Sequence, residues 1–156
     1  MHPSFVAAVE SLHPSFERLL AMAPVTGAMF GKALPKKGIY LFSEGVRHLY
    51  VGRTTRLRSR YGEHTNPSSS HDSAPFAFKL ARESTGRIRA AYQKGEDSRA
   101  GLTLDPDFSA AFVAAKIRIR AMNFRYVEET NPTKQAFLEM YCCVVLETPY
   151  NDFDTH

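Results

Sequence analysis

Apolar positions first recur at helical spacing in two short runs, each opened by the same tetrapeptide: His2-Pro3-Ser4-Phe5 and His13-Pro14-Ser15-Phe16. Proline in a first turn with serine beside it starts helices, so residues 2–23 are expected as two short helices. Residues 24–36 hold two glycines and two prolines and read as a linker. Gly38-Ile39-Tyr40-Leu41-Phe42 and His48-Leu49-Tyr50-Val51 flank Ser43-Glu44-Gly45, the pattern of two strands joined as a hairpin. Thr54 or Thr55 is placed to cap a helix through about Glu63. On that helix Leu57 and Tyr61 share one face, and Arg56, Arg60 and His64 share another. Residues 65–75, rich in Ser, Pro, His and Asn, read as a loop. Residues 76–94 read as helix broken near Gly86, and 95–106 as a further loop. Asp105-Pro106 starts a helix through Phe108–Lys116. From Ile117 the pattern turns to alternation, with a third strand expected around Phe124–Val127. Asn131-Pro132-Thr133 opens a helix to about Leu146, which Thr148-Pro149 ends.

At 156 residues and 44% hydrophobic, the chain can bury one real core. Its two cysteines, Cys142 and Cys143, are adjacent; they suit neither a bridge nor a four-thiolate zinc site and read as small buried hydrophobes. No apolar run reaches the roughly 20 residues of a membrane helix, and no secretion signal opens the chain. A cytoplasmic, reducing setting is expected, with no membrane partner. Twenty Lys and Arg against sixteen Asp and Glu give +4, which permits a polyanionic partner. Arg47, Arg53, Arg56, Arg58 and Arg60 crowd one short span, and arginine's planar fork suits phosphate.

Three features carry candidate chemistry. Glu139 is the one charge between Ala136 and Leu146, on a helix apolar almost all round. A carboxylate there is costly unless it is paired with an arginine, faces a solvent gap, or binds a hard cation such as Mg²⁺. Tyr40 and Tyr50 share a sheet face if the hairpin loop is odd in length; they either pack as a cross-strand aromatic pair or turn their hydroxyls to a polar site. Arg60 and His64 form either a solvated helix face or a phosphate-binding one. His71, in the Ser-rich loop, reads as a surface residue.

Gly38-Ile39-Tyr40, a short gap, Tyr50-Val51-Gly52, then Arg60, His64, and Glu139 followed by Pro149-Tyr150-Asn151 resemble the GIY-YIG nuclease family. The resemblance covers about residues 36–64 and 117–152. It implies an α/β (α+β) fold, a small three-stranded antiparallel sheet flanked by helices. It also implies a DNA endonuclease, a phosphodiester hydrolase using one divalent metal, Mg²⁺ or Mn²⁺. Carried over by position, Tyr50 is the general base toward water and Tyr40 positions that water. Arg60 holds the scissile phosphate, and His64 is a proton relay or phosphate contact. Glu139 binds the metal, Asn151 organises the site, and Arg53 falls where some repair members have lysine.

Beyond that core lie a helical prefix, 1–35, and a helical insertion, about 65–105, within a single domain, 1–156. Arg53, Arg56, Arg58, Lys79, Arg82, Arg87 and Arg89 are expected to contact DNA, those of the insertion as an arm tracking phosphates or, alternatively, as exposed helix faces. The alternative to an enzyme is a non-catalytic nucleic-acid-binding module on the same fold. Target choice and oligomeric state are not encoded in any motif of the chain.

Overall fold

In a computed structural model, residues 1–87 and 94–153 are described. The chain divides into two compact units, Met1–Arg58 with Met122–His156, and Ser59–Ala121.

The first unit is built on a three-stranded antiparallel sheet, order β2-β1-β3, from β1 (Gly38–Glu44), β2 (Arg47–Thr54) and β3 (Asn123–Glu128). Helices α1 (Pro3–Glu10), α2 (His13–Ala21) and α7 (Pro132–Leu146) complete it, giving a mixed α/β fold. The alternating residues of one sheet face, Ile39, Leu41, Val51 and Val127, form a core with Leu12, Phe16 and Leu19 of the prefix and with Leu138, Cys142 and Cys143 of α7. The other face presents Tyr40, Phe42, Tyr50, Phe124 and Tyr126, whose rings pack edge-on or tilted. Asn131 caps α7 by accepting from the Lys134 N–H at 3.0 Å, as its sequence signal predicts. Both sheet edges are covered: Val25 exchanges two backbone bonds with Phe124 of β3, and the segment after α7 runs along β2.

The second unit packs α4 (Pro75–Thr85) and α5 (Arg99–Leu104) on α6 (Pro106–Ala121). Its core is aromatic, with the Phe78 ring 5.0 Å from Phe108 and 5.8 Å from Phe112. Helix α3 (Leu57–Thr65) begins in the first unit and continues in the second. No helix among the described residues is long and apolar enough to cross a membrane.

Several boundaries differ from the sequence reading. The hairpin turn is Gly45-Val46, with Gly45 at φ +55°, not Ser43-Glu44-Gly45. Thr54 ends β2 and accepts the Arg56 N–H at 3.0 Å in a short turn, so the helix starts at Leu57 and Arg56 lies ahead of it. The expected loop 95–106 contains α5, capped by the Ser98 hydroxyl on the Gly101 N–H. Helix α6 runs past Lys116 to Ala121, because Phe108, Phe112, Ala115 and Ile119 form one buried stripe that outweighs the alternation after Ile117. The helix expected over 76–94 breaks at Gly86 as its sequence predicts, α4 ending at Thr85 and Gly86 taking the left-handed cap, φ +71°, while residues 88–93 of that expectation lie outside the described residues.

Candidate active site

The hairpin brings the two candidate tyrosines to one face by an irregular route. A two-residue turn pairing Glu44 with Arg47 would set Tyr50 opposite Leu41, on the face away from Tyr40. An extra residue in β2, Leu49, interrupts the ladder between the Phe42–Tyr50 and Ser43–His48 pairs. This bulge moves the register by one, so Tyr50 pairs with Phe42 and Tyr40 with Gly52. The tyrosine rings are therefore diagonal neighbours, 6.3 Å between centroids, rather than directly opposite.

Two glycines of the motif are required by contacts. A Cβ on Gly38 would sit 2.0 Å from the Val127 carbonyl oxygen of β3. A Cβ on Gly52 would sit 2.2 Å from the Tyr40 hydroxyl. The Tyr40 ring thus reaches from the central strand across to the edge strand, and its hydroxyl lies over Gly52. Tyr40 is buried, whereas Tyr50 is half-buried.

The outer edge of β2 collects the remaining first-unit residues. The Asn151 side chain closes both backbone groups of Val51, accepting its N–H and donating to its carbonyl, each at 2.8 Å. The Tyr150 N–H donates to the Leu49 carbonyl at 3.2 Å. Glu139 pairs with the Arg53 guanidinium, Nε to Oε2 at 3.0 Å. Hydroxyl, amide and carboxylate so attach to Gly52, Val51 and Arg53, within two residue steps, or about 7 Å of strand. Arg53 projects on the face opposite Tyr50, where it meets Glu139 from α7.

Burial raises the Glu139 carboxyl above the usual carboxylate range, and the Arg53 charge and hydrogen bonds oppose that rise. The side chain keeps 24% of its surface exposed, so the carboxylate is reachable. Among the described residues no three His, Cys, Asp or Glu side chains group as a metal cluster. Glu139 is thus paired with an arginine, the first of the alternatives its sequence allows, and its partly exposed carboxylate oxygen is the donor type that suits a hard cation such as Mg²⁺, which retains most of its waters. Cys142 and Cys143, also on α7, are buried, and burial pushes their thiols up to about 12 and about 11.

Arg60 and His64 lie four residues apart on α3, in the second unit. Arg60 Nη1 donates to Glu63 Oε2 at 2.7 Å and to the Ser73 carbonyl at 2.8 Å. His64 is fully buried, and burial first, then the Arg60 charge, hold its pKa well below 6.5, so it is neutral at physiological pH. A neutral, buried imidazole is no electrostatic phosphate contact. Of the expected DNA contacts, Arg53, Arg56 and Arg58 are exposed, the last with its guanidinium 5.4 Å from the Phe30 ring. Lys79 and Arg82 are half-buried, Arg82 stacking on Phe78. Arg87 is committed to Asp105 at 2.8 Å and Asp97 at 3.7 Å. Arg89 lies outside the described residues.

Sequence reasoning passed over Glu63, although its i, i+3 spacing from Arg60 was visible. It also passed over Lys116, which is buried and donates to the Pro67 and Ser69 carbonyls at 2.8 and 2.7 Å. No charge pattern marks Lys116, since its partners are backbone oxygens far along the chain. Comparison of this chain with protein-family models, with curated proteins and with solved structures finds no match in any of the three.

Proposed function

We propose that this chain is a divalent-metal-dependent DNA endonuclease of the GIY-YIG kind, hydrolysing phosphodiesters by in-line attack of water. One observation carries the reading: Asn151 and Glu139 meet β2 at Val51 and Arg53, on either side of Gly52, while the Tyr40 hydroxyl lies over Gly52 on the sheet face opposite Glu139. The edge strand so gathers a phenol, an amide and an acid, from three segments, onto three successive residues.

In this reading Tyr50, half-buried beside Tyr40, takes the proton from the attacking water as its phenolate, the form that the positive charge of a bound cation would favour. Tyr40 fixes the position of that water from its seat over Gly52. A bound Mg²⁺ or Mn²⁺ supplies positive charge toward the phosphoryl oxygens. Glu139 would hold the ion, with Arg53 as its counter-charge. Asn151 fixes the backbone between Tyr50 and Gly52. Arg60 takes the scissile phosphate, where a guanidinium donating to a developing charge contributes about 2–4 kcal/mol, the scale of an oxyanion donor.

The test is plasmid nicking by the purified chain. Cutting is expected with Mg²⁺ or Mn²⁺ and none in excess EDTA. Glu139→Ala and Arg60→Ala are expected to lose it, a factor of about a hundred or more for each, with native circular dichroism. Persistent cutting in EDTA, or full cutting by Glu139→Ala, refutes the assignment.

A further inference from the structure

We infer that Glu63 is a positioning residue for Arg60, set against an anchor that the loop 66–74 provides; this rests on the nuclease reading, in which Arg60 meets the phosphate. Arg60 Nη1 is held from two sides, by Glu63 Oε2 at 2.7 Å and by the Ser73 carbonyl at 2.8 Å. The side chains of Arg60 and Glu63 are 21% and 23% exposed, so solvent screens this pair less than an ordinary surface pair.

The Ser73 anchor is itself fixed. Alternate carbonyls of its loop each meet a cation: Pro67 and Ser69 take Lys116 of α6, His71 takes Arg99 of α5, and Ser73 takes Arg60 of α3. Lys116 is buried with its ammonium 3.9 Å from the Phe112 ring centroid, so its end of the loop is locked into the core of the unit. The loop acts as a strap whose far end seats the guanidinium. With the strap on one side and Glu63 on the other, the plane of the guanidinium is set before any substrate arrives.

Removing Glu63 takes away the anchor that works against the Ser73 carbonyl, and the guanidinium gains freedom to turn. Rate then suffers more than binding. A displacement of about 1 Å costs on the order of a hundredfold in rate, while the positive charge that attracts DNA remains and loses a nearby negative neighbour.

The test uses full-length Glu63→Ala and Glu63→Gln, the second keeping an acceptor oxygen. On plasmid DNA with Mg²⁺, Glu63→Ala is expected to lose about tenfold or more in kcat with KM unchanged or lower, and Glu63→Gln to recover most of that loss. In parallel, side-chain NMR is expected to show separate Arg60 Nη signals in the wild type and in Glu63→Gln, and averaged signals in Glu63→Ala. If Glu63→Ala does not fold, Glu63→Asp, one methylene short of reaching Arg60, takes its place in both measurements. A wild-type kcat, or Arg60 signals indifferent to loss of Glu63, overturns the inference. A wild type that cuts no DNA defeats the nuclease reading instead, and the NMR comparison still decides whether Glu63 holds Arg60.

Discussion

Two positions show how much a single residue decides here. Gly52 is not in the motif for flexibility: a methyl group there would overlap the Tyr40 hydroxyl, 2.2 Å from the ideal Cβ position. Gly52→Ala is therefore expected to displace the phenol. The cost in stability, read by urea unfolding, is about 1–3 kcal/mol, and nicking is lost by more than that destabilisation explains. His64 makes the second case. Burial favours its neutral form in the folded chain, well below the ordinary 6.5, so the unfolded chain binds the proton first as pH falls. Its contribution is complete above 6.5 and declines as pH drops below that value. His48, also lowered by burial and by Arg125, acts in the same direction. Urea unfolding at pH 7 and pH 5 is expected to show a smaller loss for His64→Gln than for the wild type. Both tyrosines and His64 were legible as residue types in the sequence. The face assigned to His64 needs correction: it falls seven residues after Leu57 and three after Tyr61, on their buried stripe, rather than with Arg60 on an open face.

At the level of the element, β2 concentrates the site through two departures from a regular hairpin. The bulge at Leu49 turns Tyr50 to the Tyr40 face, and the outer edge bonds Asn151 and Tyr150 in place of a fourth strand, with Glu139 paired to the Arg53 side chain. Asn151 satisfies both backbone groups of Val51 with one planar amide. Asn151→Ala is expected to leave them to water, lowering stability by about 1–2 kcal/mol and speeding amide exchange at Val51 relative to the rest of β2. Unchanged protection at Val51 would show that the edge is held by something else. The strands themselves were readable from β-branched and aromatic runs. The bulge was not, since one extra residue leaves no compositional mark and only the pairing with β1 exposes it. The same limit explains α5 and the end of α6: six residues capped by Ser98 look like loop, and Ile117–Arg120 alternates while remaining helical.

Across the whole molecule the +4 charge is unevenly available. Arg56 and Arg58 are exposed, whereas Arg87 is bound by Asp97 and Asp105 and Lys116 by carbonyls. DNA binding measured against salt is expected to lose about 0.9 from the slope of log K for each of Arg56→Ala and Arg58→Ala. Arg87→Ala is expected to change it little; an equal effect of all three would mean that the Arg87 pairs open on DNA. The insertion read from the sequence as residues 65–105 belongs to a larger unit, Ser59–Ala121, because α4 and α5 need the aromatic stripe of α6 to bury their own apolar faces.

Local preference by itself determined most of the elements: proline and serine at helix starts, Asn131 as a cap, β-branched and aromatic runs for the three strands, and the order of tyrosines, arginine, acid and asparagine along the chain. These depend on neighbours within a few residues, and the chain carries them in any arrangement. Tertiary structure decided the register that puts Tyr40 over Gly52, the meeting of Asn151 with Val51 a hundred residues earlier, the choice of Arg53 as counter-charge to Glu139, and the burial that neutralises His64. Those depend on which surfaces close over one another, and the energy of such closure is shared among segments too far apart in sequence for any local pattern to record it.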